Sequence, residues 1–225
     1  SFIYIYTNYM TTTASDVAKL RAQTGAGMLD CKKALDETNG NFEQAVDLLR
    51  TKGIAKAAKR AGKITAEGMV SSYIHGMGKV GVLIELNCET DFVARTEQFQ
   101  TLAKDIAMHI AASNPIYVSR EQVPADQVER EKAVYREQLK NEGKPAEMIE
   151  KILEGKLSKW YGDICLLEQK FIKDEDKTIE QILTEKTGAI GEKITVRRFA
   201  RYELGEGIEK EEKDFAAEVA EQLGQ

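Results

Sequence analysis

Lys79-Val80-Gly81-Val82-Leu83-Ile84-Glu85-Leu86-Asn87-Cys88-Glu89-Thr90-Asp91-Phe92-Val93-Ala94-Arg95 contains the change of period on which the fold turns. Up to Leu86 the apolar residues alternate and then run together, the pattern of a buried or half-buried strand. Past Arg95, Phe99, Leu102, Ala103, Ile106, Ala107 and Ile110 recur at helical spacing, so a helix is predicted over about 96 to 112. Thr90 suits the cap of the helical start, which places Asp91 where the positive end of a helix dipole favours a carboxylate. Phe92 then has two readings. It packs into the strand–helix corner, as aromatics commonly do, or it stands out beside Asp91 as a wedge for a partner. The local pattern leaves both open.

Working upstream, Gly68 to His75 reads as the other arm of a hairpin, with Gly76-Met77-Gly78 as its turn. Gly76 to Gly81 also fits the spacing G-x-G-x-x-G of a dinucleotide site. That fingerprint must open a helix, and here a strand follows, so nucleotide binding is rejected. Further upstream, short helices are predicted over 15–23, with Ser15 as cap, and over 28–37. Gly25 and Gly27 break the first from the second, and Asn39-Gly40 stops the second. Asn41 caps a third helix with Gln44 in the capping-box position, and Gly53 is read as its end. Residues 13–53 are thus a three-helix bundle near the lower size limit for folding alone. Residues 54–66 read as a basic linker, and residues 1–12 as an upstream tag or extension with Met10 as a natural start.

Working downstream, Asn114-Pro115 ends the helix. Two helices, about 125–141 and 145–160, are divided by Asn141-Glu142-Gly143 and form a helical hairpin within 120–161. Ile149, Ile152, Leu153, Leu157 and Trp160 give the second an apolar stripe. Thr178 caps another helix with Gln181 at the box position. Ile194 to Leu204 is a last strand, with Ile194, Val196, Phe199 and Tyr202 as its alternating residues. Residues 205–225 form a C-terminal helical module carrying Phe215, Val219 and Leu223. Strands and helices occur in separate runs, which predicts an α+β core over 67–204 with a small antiparallel sheet.

The chain has 225 residues, 31% of them charged, and a net charge of −5, which speaks against a chain-wide phosphate-binding surface. No apolar run reaches the length of a membrane span. Three scattered cysteines, Cys31, Cys88 and Cys165, fit reduced thiols in a cytosol-like compartment. The two histidines, His75 and His109, lack metal-ligand neighbours in sequence, and no nucleophile elbow or phosphate loop occurs. No cofactor and no enzymatic activity are expected. Cys31 reads as a packed thiol, and Glu89 beside Cys88 raises that thiol's pKa.

Leu20-Arg21-Ala22-Gln23-Thr24-Gly25-Ala26-Gly27-Met28-Leu29-Asp30-Cys31-Lys32-Lys33-Ala34-Leu35 resembles the N-terminal signature of the translation elongation factor Ts family. Glu85 to Arg95 resembles the family's second signature. Gly205 to Lys210, with Asp214 to Val219, is similar to its C-terminal segment. The resemblance covers about residues 13 to 222. It implies a guanine-nucleotide exchange factor for elongation factor Tu, acting in the cytoplasm or in an organelle matrix or stroma. It further implies that the bundle is a ubiquitin-associated-type module docking on the partner through Arg21, Thr24, Gly25 and Met28. Thr90, Asp91, Phe92 and Val93 then form an intruding corner that disturbs the partner's magnesium and phosphate environment. Phe215 and Val219 add a further contact. Longer members carry a duplicated core, whereas this chain resembles the short form, for which a homodimer is an added expectation. Two other readings are a binding module for a different protein and an RNA-binding accessory protein using Lys52 to Lys63, whose binding would fall steeply with salt.

Overall fold

The computed structural model describes residues 12–208. The expected extension therefore lies outside it apart from Thr12, as does the expected final helix with Phe215 and Val219. The elements run α1 (Ala14–Thr24), α2 (Met28–Glu37), α3 (Phe42–Arg60), β1 (Glu67–His75), β2 (Val80–Cys88), α4 (Asp91–Ala94) and α5 (Glu97–Ser113). They continue with α6 (Ala125–Asn141), α7 (Ala146–Ile164), β3 (Lys170–Phe171), β4 (Asp174–Thr178), α8 (Ile179–Ile190) and β5 (Thr195–Glu203).

The bundle begins two residues earlier than its expected cap. Thr13, not Ser15, caps α1, in a reciprocal box with Asp16, and Gly25 closes the helix in the left-handed region at φ 69°. Asn41 caps α3 by accepting the Gln44 N–H, as expected. Val17, Leu20, Ala34, Leu35 and Ala45 bury one shared core, with Cys31 packed among them. Burial pushes the Cys31 thiol up, so it is a small apolar side chain rather than a nucleophile.

Gly53 does not end α3. The helix continues for 19 residues to Arg60, so most of the expected basic linker is its last two turns. The reason is tertiary. α3 packs on α8, and Gly53 meets Gly188 backbone to backbone. A glycine read as a stop is a contact point where two helix axes come close.

The α+β expectation holds: β1, β2 and β5 form an antiparallel sheet in that order, and α5 packs across β1 and β2. Val82, Ile84 and Leu86 point inward onto Phe99, Leu102, Ile106 and Ile110 of α5. In β5 the inward parity changes from Val196 to Phe199 because a bulge sets Arg197 and Arg198 together against Glu85. Both arginines pair with its carboxylate. Tyr202 consequently points outward and is exposed, not inward with Phe199 as its sequence position suggested.

The helical hairpin α6–α7 stands as expected, with Ile149 and Leu153 buried along its seam. Gln169 and His109 join it to the core. Gln169 Nε2 donates to the Asp163 carbonyl at 2.8 Å, and its Oε1 lies 3.0 Å from His109 Nε2. The Ile172 backbone N–H donates to His109 Nδ1, so Nδ1 is the acceptor and Nε2 carries the proton. Burial pulls the imidazole below its ordinary value, which keeps the ring neutral.

The sign of the pH dependence follows. Below pH about 6.5 the unfolded chain takes up a proton that the folded ring refuses, so stability falls with falling pH, by up to about 1.4 kcal/mol per pH unit. The melting temperature is expected to drop between pH 7 and pH 5.5, and His109→Gln is expected to flatten that slope. An unchanged slope in the variant would place the titration elsewhere.

Candidate functional site

The corner between β2 and α5 is built from a short cap rather than a continuous helix. Thr90 is extended and its hydroxyl accepts the Val93 N–H at 3.5 Å, which starts the single turn α4. The chain then breaks at Arg95, and Thr96 caps α5 separately by accepting from the Phe99 N–H. A one-turn helix has little dipole, so the expected dipole support for Asp91 is small. Arg95 supplies the charge instead, donating to Asp91 Oδ2 at 2.8 Å.

The turn sorts its side chains sharply. Ala94 is buried and Val93 packs on the core, whereas Phe92 is 79% exposed. Of the two readings of Phe92, the buried one is excluded. A phenyl ring standing in water gains nothing from the fold. Asp91 lies beside it with its side chain 47% exposed.

Two carboxylates hold this corner from behind. Glu192 accepts from the Thr90 N–H at 3.0 Å and from the Thr90 hydroxyl at 2.7 Å. Glu89 accepts from the Lys193 N–H at 2.7 Å and from Arg60 Nη1 at 2.8 Å. Each acid thus reaches across to the backbone next to the other. The Lys193 N–H, helped by Arg60, holds the Glu89 carboxyl below its usual range. Lys193 Nζ donates to the Ala61 carbonyl, so the end of α3 joins the same cluster. Behind it Cys88 is buried, and burial together with the Glu192 carboxylate pushes its thiol up.

The expected docking residues of the bundle share one end of it. Gly25 is the left-handed cap of α1, and the Thr24 hydroxyl donates to the Leu20 carbonyl at 2.7 Å. Arg21 is exposed, and Met28 is 45% exposed at the start of α2. Leu29 beside it is 64% exposed and was missed as a candidate. Its signal was present, because it sits in the first turn of a helix whose buried residues are Cys31, Ala34 and Leu35. Glu192 and Arg60 were also missed. Their partners are distant in sequence, and no local spacing reveals them.

A cleft of about 700 Å³ lies between bundle and core, lined by residues of α3, α5 and α8. Its charges answer one another: Lys56 pairs with Asp30, and Lys177 and Arg50 with Glu185. Several of its charges are thus committed to one another, whereas the exposed corner carries an uncovered aromatic, so the corner is the better candidate. Among the described residues, no helix is long and apolar enough to cross a membrane.

Comparison with known proteins leads to the same family as the resemblance. The sequence model described as Elongation factor TS matches residues 5–206, starting inside the segment read as an upstream extension. Elongation factor Ts of Geobacter sp. (strain M21) is 60% identical over 216 residues, covering 96% of this chain and 100% of the relative. Elongation factor Ts of Geobacter sulfurreducens is 60% identical over 215 residues, with the same coverage. Elongation factor Ts of Acetivibrio thermocellus is 59% identical over 211 residues, covering 94% of this chain and 98% of the relative. Matched along nearly its whole length, with one signature on the bundle and another on the strand–helix corner, the chain belongs to the elongation factor Ts family.

Proposed function

We propose that the chain is a non-enzymatic guanine-nucleotide exchange factor that binds elongation factor Tu in the cytoplasm and promotes GDP release, using Asp91 and Phe92 as a wedge. The observation that carries this reading is a 79% exposed Phe92 on a turn whose Thr90 is held by Glu192 and whose Val93 packs on the core. An exchange factor must bind the nucleotide-free partner better than the loaded one, and linkage then makes each ligand displace the other. A rigid aromatic suits that task. If it fits only the distorted partner, its burial energy appears only there. Asp91 is restrained by an exposed pair with Arg95, which is weak enough to exchange for a partner group. Arg21, Thr24, Gly25 and Met28 give a second contact, on the bundle, and Phe215 and Val219 a third, outside the described residues. Stopped-flow release of fluorescent GDP from elongation factor Tu, with and without this protein, tests the reading. No acceleration by a folded sample would refute it.

The RNA-binding alternative loses its support. Lys52 pairs with Glu37, Lys56 with Asp30 and Arg60 with Glu89, so much of the Lys52–Lys63 run is internally neutralised. The proposed homodimer uses the outer sheet face, where Val70, Ile74, Leu83 and Tyr202 are exposed together. Ile74 and Tyr202 flank Gly81 in one cross-strand row with Leu83 beside it, while Val70 stands next to the Glu85–Arg198 pair, so the face offers a small apolar patch with a charged rim. Sedimentation equilibrium is expected to give about twice 25.1 kDa, and Leu83→Glu about that mass itself. A wild-type monomer at high concentration would remove the dimer from the reading.

A further inference from the structure

Phe92 projects from a turn of only four residues, which cannot hold a direction by its own hydrogen bonds. Its direction must come from what grips the turn. The Thr90 side chain sets the turn through Val93, and Thr90 itself is held at both its N–H and its hydroxyl by one carboxylate, Glu192. Glu192 follows Gly191, the left-handed cap of α8 at φ 88°, and so stands at the junction of α8 with β5. That junction is held in turn by Glu89, which accepts the Lys193 N–H. Two crossed acid-to-backbone links therefore fasten the corner to the α8–β5 junction.

We propose that Glu192 is the positioning residue for the Asp91–Phe92 wedge. It touches neither the partner nor the nucleotide; it acts through Thr90, fixing the orientation in which Phe92 is presented. This rests on the exchange-factor reading for its effect on GDP release, but not for its effect on the corner itself. Both bonds end on a carboxylate, so both are charge-assisted and stronger than neutral ones. Glutamine in place of Glu192 keeps one acceptor for the Thr90 N–H and can donate to the hydroxyl oxygen, so it should retain most of the grip. Alanine retains none.

The test has two arms on the full chain. In the free protein, hydrogen exchange at the Thr90, Val93 and Ala94 amides is expected to rise in Glu192→Ala and stay near wild type in Glu192→Gln, with β2 and α5 unchanged. In GDP release from elongation factor Tu, Glu192→Ala is expected to lower the saturating rate at least about tenfold, since each of the two lost charge-assisted hydrogen bonds is on that scale. The half-saturating concentration should shift far less, because the bundle contact is intact. Combining Glu192→Ala with Phe92→Ala should add no further loss, since a misdirected ring and a missing ring fail alike. Unchanged hydrogen exchange at the corner, or losses that multiply in the double variant, would overturn the proposal. Should the alanine variant not fold, Glu192→Asp, which draws the carboxylate back from Thr90 by one methylene and leaves the Thr90 cap intact, is read in the same two arms. A wild-type protein that leaves GDP release untouched would sink the exchange reading alone, and the hydrogen-exchange arm would still decide the grip of Glu192.

Discussion

Phe92→Ala is expected to remove most of the acceleration of GDP release from elongation factor Tu while leaving the protein's own stability within about 0.5 kcal/mol of wild type. The two halves of that expectation have one cause. Phe92 is 79% exposed in the free chain, so truncating it opens no cavity and breaks no packing. Its energy is realised only when a partner covers it. Full burial of a phenyl ring contributes about 1.5–3 kcal/mol, and if that energy is directed into the distorted, nucleotide-free partner, its loss slows release roughly tenfold to 150-fold. A residue that only anchored the complex would behave differently. It would raise the concentration needed for half-maximal effect and leave the saturating rate alone. The measurement is therefore the saturating release rate, with complex formation followed separately. An unchanged saturating rate would move the mechanism to the bundle or to the segment beyond residue 208. A loss of thermal stability in the variant would show that Phe92 packs against the chain after all.

The corner shows which features of such a site are legible in a sequence. The cap at Thr90, the strand before it and the apolar helix after it are local patterns with one physical reading each, and all three stand where the pattern puts them. Whether Phe92 faces in or out was not legible from period, because a four-residue helix is too short to show one. It was settled by resemblance and then by the fold. Contacts between distant segments left no trace at all. Glu192 and Glu89 each sit among ordinary surface charges, and only folding brings Glu192 to Thr90 and Lys193 to Glu89. The strands β3 and β4 were missed for another reason. Asp174 to Thr178 is polar throughout, so it shows no alternation, and it pairs at the edge of the core without burying a face. Gly53 was misread because glycine carries two meanings, a helix stop and a close approach, and sequence alone does not separate them.

That double meaning has a large, asymmetric consequence at the α3–α8 crossing. A methyl group built on Gly188 would lie 2.5 Å from both the Cα and the carbonyl oxygen of Gly53, and 2.6 Å from its carbonyl carbon. Those are backbone atoms of a helix, which cannot swing aside as a side-chain tip can. Gly188→Ala must push the helices apart, and overpacking of that kind costs about 1–3 kcal/mol. The lost contact of the bundle with the core adds to it, whereas alanine's better helix propensity offsets at most about 1 kcal/mol. A fall in melting temperature of several degrees is expected, at about 2–4 °C per kcal/mol for a chain of this size. The converse substitution is different in sign. A methyl group on Gly53 would meet the Gly188 Cα at 3.7 Å, ordinary van der Waals contact, in the interior of a long helix. Gly53→Ala is therefore expected to be neutral or to stabilise by up to about 1 kcal/mol. Were Gly53 a helix stop, alanine there would do harm, and Gly188, near the end of α8, would tolerate it. Thermal melts of the two single variants separate the alternatives. Equal, small effects from both would mean that α3 and α8 do not approach each other this closely in solution.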